Sequence, residues 1–166
     1  MIRKLHHNAY RCRDSDETRR FYEDFLGLRL AGTLEIKETK SGRKTETLHT
    51  FYELGDGSYL AFFEAPDRPF EFKDQHDYDL HIALEVDAKT LKKMFAKGKA
   101  AGIETRGVSD HEFIHSIYFR DPNGYVIELA ARTPGHDRAM DPAKNGARQK
   151  LERWTAAKAR HAASVS

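Results

Sequence analysis

The sequence predicts an α+β fold made of two βαβββ modules, and three observations support this prediction. One strand, one helix and three further strands occur in this order in residues 5–65 and again in residues 79–131. The strands that carry His7 and His81 each lead to an Asp that begins the following helix. A glycine-led strand then closes each copy. We therefore expect two related modules whose mixed sheets curl around a shared site.

The first module begins with an extended segment over residues 5–13, after which Asp14 or Ser15 supplies a helix N-cap. The next segment has aromatic and aliphatic residues at helical spacing and stops at Gly27, a favourable residue just beyond a helix. Three antiparallel strands are then predicted at residues 28–38, 45–54 and 58–65. Residues 66–79 contain two prolines and many charges and are predicted to connect the modules.

The second module repeats this order of elements. A strand over residues 80–86 leads to a helix over residues 88–101, which stops at Gly102. Three further strands are predicted at residues 103–106, 113–119 and 125–130. The turn Asp-Pro-Asn-Gly joins the last two strands.

Two parts of the chain are predicted, a domain over residues 1–135 and a basic helical tail over residues 136–166. The Asn-Gly pair at 145–146 should break the tail helix early. A thin apolar stripe of Leu151, Trp154 and Ala157 is expected to pack on the body of the domain or on a second copy of the chain.

Composition limits the partners of the protein. The chain has 166 residues, with 28 Lys and Arg against 26 Asp and Glu, so its near balance of charge gives no reason to expect nucleic acid or an anionic membrane as a partner. A single cysteine, Cys12, and the lack of a signal-peptide pattern in MIRKLHHNAYRCRD predict a reducing, cytoplasmic location. No apolar run approaches the roughly 18 residues that span a membrane.

Alternation along the strands, together with the repeat, places three residues of metal-binding types on one face. If Ile82 and Leu84 point at the helices, His81 points at the opposite face. The same parity places Glu128 on the face of His81, and the repeat places His7 there as well. Two imidazoles and one carboxylate can bind a divalent metal and leave coordination positions open for a substrate.

Three segments in order resemble one family. The runs HHNAYRCRDSDETRRFYEDFLGLRL, DLHIALEVD and SIYFRDPNGYVIELA are similar to the vicinal oxygen chelate superfamily. That superfamily includes glyoxalase I, extradiol ring-cleaving dioxygenases, fosfomycin-resistance enzymes, methylmalonyl-CoA epimerase and metal-free bleomycin-binding proteins. The resemblance covers roughly residues 5–131 and is far more specific for the fold than for the activity.

The resemblance implies a set of metal ligands, namely His7, His81 and Glu128. His6 competes for the first position, but the family spacing to the helix-capping Asp selects His7. Fe(II) is the expected metal, and Mn(II), Zn(II) or Ni(II) could occupy the same ligands because geometry alone does not decide the metal.

A fourth ligand would distinguish glyoxalase-type isomerases from the other members. They take this ligand from the end of the first module, where the repeat places Ala61. A methyl group cannot bind a metal, so a glyoxalase-type site is disfavoured unless Glu64 reaches in from a shifted register.

The position of Tyr118 favours one activity among those of the superfamily. Extradiol dioxygenases of the superfamily resemble one another in carrying a Tyr ten residues before the ligand Glu, and Tyr118 stands ten before Glu128. Their additional histidines have no clean match, and His111, on the loop before the strand of Tyr118, is the candidate for acid–base chemistry among His111, His115, His76 and His49.

The first expectation is therefore an extradiol-type dioxygenase that acts on a catechol or a similar oxygen-chelating small molecule. The alternatives are a metal-dependent isomerase or lyase that uses Glu64 or a histidine as base, a fosfomycin-type transferase, and a non-catalytic small-molecule binding module. The second of these would need a cationic pocket, for which Arg11, Arg13, Arg106 and Arg120 are available. The resemblance also implies a homodimer, in some members with exchanged modules.

Overall fold

The computed structural model describes residues 1–165, with side chains up to residue 159. Its strands are β1 (Tyr10–Arg11), β2 (Arg29–Glu38), β3 (Lys44–Glu53), β4 (Tyr59–Glu64), β5 (His81–Glu85), β6 (Thr105–Asp110), β7 (Ile114–Arg120) and β8 (Val126–Arg132). They form two four-stranded mixed sheets, in the orders β1-β4-β3-β2 and β5-β8-β7-β6. β1 runs parallel to β4, and β5 runs parallel to β8. All other neighbouring strands are antiparallel. The predicted α+β fold with two βαβββ modules is confirmed.

The helices are α1 (Ser15–Arg19), α2 (Ala88–Ala100), α3 (His136–Ala139) and α4 (Ala147–Val165). The side chain of Asp14 caps α1 by accepting the Glu17 N–H at 2.7 Å, and the side chain of Asp87 caps α2 by accepting the Thr90 N–H at 2.6 Å. Matching N-caps therefore begin the equivalent helix of each module. No helix within the described residues is both long and apolar enough to cross a membrane.

Two local features of the first module differ from the prediction. β1 has only two residues, preceded by an isolated bridge between His7 and Tyr59. The Asn8 side chain, rather than a backbone carbonyl, accepts the Ala61 N–H at 3.0 Å, which interrupts the ladder. After α1 the chain continues as a π-helical segment, Arg20–Phe25, a rare geometry that apolar spacing alone does not reveal.

One hydrophobic core joins the two modules, and residues of both sheets and both helical layers contribute to it. The ring of Phe25, after α1, meets the ring of Phe119, on β7, edge to face with centroids 5.2 Å apart. In each sheet, the face that carries the candidate site residues is the one opposite this shared core.

A buried polar cluster also ties the modules together at the Asp-Pro-Asn-Gly turn. The hydroxyl of Tyr22 donates to Asp121 at 2.8 Å, and both residues are buried. The Asn123 side chain accepts the Arg13 N–H at 2.9 Å and donates to the Thr18 hydroxyl at 3.2 Å. Burial raises the pKa of Asp121, so its hydrogen-bond donors offset a desolvation cost.

The tail was predicted as a helix broken early, and α4 indeed starts after the Asn-Gly pair, with the Asn145 side chain accepting the Ala147 N–H at 2.8 Å. The expected packing of its apolar stripe on the body is wrong. Leu151 and Trp154 are 58% and 64% exposed, so the body of the domain does not cover this stripe. Packing on a second copy stays a prediction.

Candidate metal centre

β5 and β8 bring two candidate ligands together. Ile82 and Leu84 pack against the core, so His81 lies on the opposite face of β5, as the alternation predicts. His81 Nε2 is 3.0 Å from Glu128 Oε2, and the Glu128 side chain is only 5% exposed. A proton or a metal cation between the two atoms makes this contact favourable, because a carboxylate oxygen and a bare imidazole nitrogen repel each other.

Glu128 and His81 each make a second hydrogen bond that fixes the orientation of the side chain. The Ser116 hydroxyl, on β7, donates a hydrogen bond to Glu128 Oε1. The backbone carbonyl of Asp77 binds His81 Nδ1 at 2.7 Å. Because a carbonyl can only accept, Nδ1 carries the proton in this bond and Nε2 is the nitrogen that faces Glu128. This is the arrangement that metal-bound histidines and carboxylates commonly have.

His7 lies on the other sheet. Its bridge partner is Tyr59, and its ring neighbours are His6, with Nδ1 atoms 2.8 Å apart, His49 and Phe51. Among the described side chains, no group of three or more His, Cys, Asp or Glu is arranged to hold a metal ion. One chain thus brings together two of the three predicted ligands, and the assignment of all three as ligands stays a prediction.

Tyr118 and His111 lie beside the His81–Glu128 pair. Tyr118 is the direct cross-strand neighbour of Glu128 in the register of β7 and β8. Its hydroxyl is 2.9 Å from His111 Nε2. Burial raises the pKa of Tyr118, and the Glu128 carboxylate adds to this, so the phenol stays protonated at neutral pH and can donate a hydrogen bond. The structure therefore groups the two residues that the sequence singled out for catalysis.

His49 is the residue that the sequence reasoning undervalued. It is buried on β3, stacked on Phe63 with ring centroids 3.6 Å apart, and its centroid is 6.1 Å from that of His7. Its Nδ1 binds the Phe62 carbonyl at 2.9 Å, which leaves Nε2 as an acceptor. Burial lowers the pKa of His49. The alternation of β3 was the available signal, since it places His49 on the face opposite the core.

The end of the first module offers no fourth metal ligand of the kind that glyoxalase-type isomerases use. Ala61 occupies the position in β4 that Glu128 occupies in β8, and it is fully buried. Glu64 does not reach the face of His7, because its carboxylate accepts the Ser15 N–H at 2.7 Å, at the N-terminus of α1. Glu64 is therefore on the helical side of the sheet, where it satisfies a helix donor, and the suggestion that it serves as a base is wrong.

The four arginines considered for an anion pocket are engaged elsewhere. Arg13 pairs with Glu17, Arg106 with Asp77, and Arg120 with Glu104. Arg11 donates to the Ala65 and Arg68 carbonyls. These guanidinium groups already bind carboxylates and carbonyls of the same chain. They therefore do not form a cationic pocket at the His81–Glu128 pair.

The comparisons with known proteins agree with this architecture. The model of the Glyoxalase/Bleomycin resistance protein/Dioxygenase superfamily matches residues 4–129. A probable chloroplastic lactoylglutathione lyase of Arabidopsis thaliana is 30% identical over 137 residues, which are 80% of this chain and 37% of that protein. The chain thus spans little more than a third of the length of this relative.

Solved structures show the same fold. A glyoxalase/bleomycin resistance protein/dioxygenase domain from Frankia sp. EAN1pec has a TM-score of 0.64 at 19% identity, covering 80% of this chain and all of that one. The fosfomycin resistance protein FosX from Listeria monocytogenes, solved with Mn(II) and 1S,2S-dihydroxypropylphosphonic acid, has a TM-score of 0.62 at 20% identity, covering 82% and 98%. The chain belongs to the glyoxalase/bleomycin resistance/dioxygenase superfamily, whose members include proteins that bind divalent metals.

Proposed function

We propose that the protein is a metal-dependent enzyme that cleaves the ring of a catechol or a similar small molecule with two neighbouring oxygens. The observation that carries this proposal is the juxtaposition of the His81–Glu128 pair with Tyr118, whose hydroxyl is bound to His111. A ligand pair and a phenol donor on one sheet face can hold a substrate oxygen from two sides.

The donor set fits a first-row divalent ion. His81 and Glu128 offer one nitrogen and one carboxylate at a single point, each held by a second hydrogen bond. We propose Fe(II), with Mn(II), Zn(II) or Ni(II) as ions that the same ligands accept. Bound there, Fe(II) would supply Lewis-acid binding of the two substrate oxygens and electron exchange with dioxygen.

The protein side chains have two tasks in this proposal. Tyr118 donates its hydroxyl proton in a hydrogen bond to a substrate oxygen, with His111 holding the phenol. His49 lies on the sheet face of His7, so it acts in this reaction only where that face meets the His81–Glu128 pair. There it takes the proton of a substrate hydroxyl at Nε2, a role that suits an imidazole kept neutral by its lowered pKa. The C–C bond beside the diol breaks and both atoms of dioxygen enter the product, so no external reductant is needed.

We further propose that the third ligand comes from a second copy of the chain. His7 and His49 share one sheet face, while His81 and Glu128 share a face of the other sheet, in the same chain. A homodimer that joins these two faces would bring His7 of the partner subunit to the pair. Light scattering at micromolar concentration should give about twice 19.1 kDa, and a monomer mass would contradict this part of the proposal.

The similarity to a probable lactoylglutathione lyase favours a second candidate, a metal-dependent isomerase or lyase. This reaction would use the same ligands, with His49 or His111 as the base instead of Glu64. Fosfomycin-type chemistry has less support, because the arginines near the site are paired with carboxylates.

One experiment separates these functions. Protein loaded with Fe(II) is given a catechol under anaerobic conditions and is then exposed to air. Ring cleavage predicts a yellow product that appears only after air is admitted, and no product in a His81→Ala variant. Turnover of a hemithioacetal without oxygen would support the isomerase, and binding of either compound without turnover would support a binding module.

The buried, single Cys12 is compatible with the cytoplasmic location that the composition predicts, and we retain this location as a proposal.

A further inference from the structure

The connector between the modules, residues 66–79, is bonded to the second module. Its backbone is pinned to the Asp-Pro-Asn-Gly turn, because the Lys73 N–H donates to the Asn123 carbonyl at 2.9 Å and the Gln75 N–H donates to the Gly124 carbonyl at 3.2 Å. The Arg120 side chain also donates to the Gln75 carbonyl at 3.2 Å. The end of the connector is thus held against the second module immediately before β5 begins.

Asp77 is the residue at which this connector meets the candidate site. Its carboxylate accepts two hydrogen bonds from Arg106, each 2.8 Å long, in a bidentate pair between the connector and β6. Its backbone carbonyl accepts the hydrogen bond from His81 Nδ1 at 2.7 Å. One residue therefore anchors the loop with its side chain and orients a candidate ligand with its main chain.

Arg106 connects the same pair to the other half of the site. It is the cross-strand neighbour of Tyr118, and its guanidinium carbon lies 5.3 Å from the centre of the Tyr118 ring. The Asp77–Arg106 pair thus contacts His81 through the Asp77 carbonyl and Tyr118 through the Arg106 guanidinium.

We propose that Asp77 and Arg106 are positioning residues that keep His81 in the Nδ1–H tautomer with Nε2 aimed at the metal, and that keep Tyr118 beside it. This inference rests on the proposed metal site. Loss of the ion pair leaves Asp77 without its side-chain anchor, even though Lys73 and Gln75 still hold the earlier part of the connector. The Asp77 carbonyl then no longer fixes the tautomer and orientation of the His81 ring. Removal of such supporting groups typically lowers metal affinity by about 10–100-fold.

The chain offers a matched control. Arg132 pairs with Glu85 at 3.0 and 2.7 Å, so this ion pair also anchors β5, but at the end far from His81 Nδ1. Its side chains are 52% and 62% exposed, against 43% and 27% for Arg106 and Asp77. Arg132→Ala therefore removes an ion pair of the same kind near the strand of His81 without removing a contact of the Asp77 carbonyl.

The test measures Mn(II) affinity of the full-length protein by competition with a chelating dye, together with the His81 tautomer by ¹⁵N NMR. Asp77→Ala and Arg106→Ala should weaken Mn(II) binding about tenfold or more and give a mixture of tautomers. Arg106→Lys should recover part of the affinity, and Arg132→Ala should stay within about twofold of the wild type. Equal unfolding midpoints of the metal-free proteins would show that the variants are folded.

Two further results separate this inference from the proposed function. If Asp77→Ala and Arg106→Ala bind Mn(II) like the wild type while His81→Ala does not, the positioning role is wrong and the metal site stands. If His81→Ala also binds like the wild type, the ligand assignment itself is wrong, and the inference falls with it. A loss in Arg132→Ala as large as that in Arg106→Ala would likewise contradict a specific role for the Asp77 pair.

Discussion

The two modules have the same backbone register and different chemistry. The bridge between His7 and Tyr59 corresponds to the pairing of His81 with Val126, so equivalent positions can be compared directly. The corresponding residues of the first and second modules are His7 and His81, His49 and Ser116, Phe51 and Tyr118, and Ala61 and Glu128. Of these four pairs of positions, only the first holds the same residue in both modules, a histidine.

The two modules of this duplicated scaffold contribute different chemical groups. The second module supplies the carboxylate, its supporting hydroxyl and a phenol donor. The first supplies a wall of aromatic rings around a buried imidazole, His49. The supports of the two equivalent histidines also differ, since His81 Nδ1 binds a carbonyl whereas His7 Nδ1 lies against the neighbouring His6. We expect the two faces to form one site only when they meet.

The largest effect is expected at the ligand pair of the second module. Glu128→Ala removes the carboxylate that we propose as a ligand, and we expect Mn(II) or Fe(II) affinity to fall by about 100-fold or more, measured by competition with a chelator. Glu85→Ala is the control, because Glu85 is an exposed carboxylate on the neighbouring strand. Equal affinities of the two variants would show that Glu128 is not a ligand.

A second substitution gives the first module the carboxylate that only the second module has at this position. Ala61→Glu places a charge at a fully buried position, so we expect the metal-free protein to lose about 3 kcal/mol of unfolding free energy in urea. Ala83→Glu, at an exposed position of β5, should cost far less. A substitution at Ala61 as mild as that at Ala83 would mean that this face of β4 is open to water.

A smaller effect is expected where the modules are joined. Tyr22→Phe leaves the buried Asp121 without its phenol donor, and we expect a loss of about 1–3 kcal/mol in urea unfolding. Tyr78→Phe is the matched control, since Tyr78 is 94% exposed. The pKa of Asp121 is raised by burial, so its ionisation in the folded state opposes stability as the pH rises above the ordinary carboxyl range. The cost of Tyr22→Phe should therefore shrink at low pH, where Asp121 is protonated, and an unchanged cost would contradict this explanation.

The smallest effect concerns His49 in the metal-free protein. Because burial lowers its pKa in the folded state, the unfolded chain binds the proton more readily below the ordinary value of about 6.5. Stability should fall as the pH drops below this value and level off below the folded-state pKa. His49→Gln should make the pH dependence of unfolding flatter between neutral and mildly acidic pH. An identical dependence in both proteins would show that His49 does not contribute.

Local patterns predicted much of the fold. Alternation placed Ile82 in the core and His81 on the other face, and the repeat aligned the two modules at the residues that the strand register also pairs. These are short-range properties that each strand expresses by itself.

The sequence could not place the modules relative to one another. His7 does not meet His81 within one chain, whereas Asp77 meets Arg106. Both facts depend on how residues far apart in the sequence are arranged in space, and periodicity gives no signal for that arrangement. The choice of His111 over His49 rested on distance along the chain, whereas burial and ring stacking distinguish His49 in three dimensions. The predicted packing of the tail helix on the body was wrong for a related reason. An apolar stripe shows that a helix can pack, but it does not show which surface the helix packs against.

The most direct test of a metal site shared between two copies is a purified heterodimer of a His7→Ala chain and a Glu128→Ala chain, each with a different affinity tag. In such a dimer one of the two sites retains His7 from one chain with His81 and Glu128 from the other, and the second site lacks both altered ligands. We predict about one metal ion per heterodimer and about half of the wild-type ring-cleaving activity, while each homodimeric variant has neither. A heterodimer as empty and inactive as the two homodimeric variants would contradict the account.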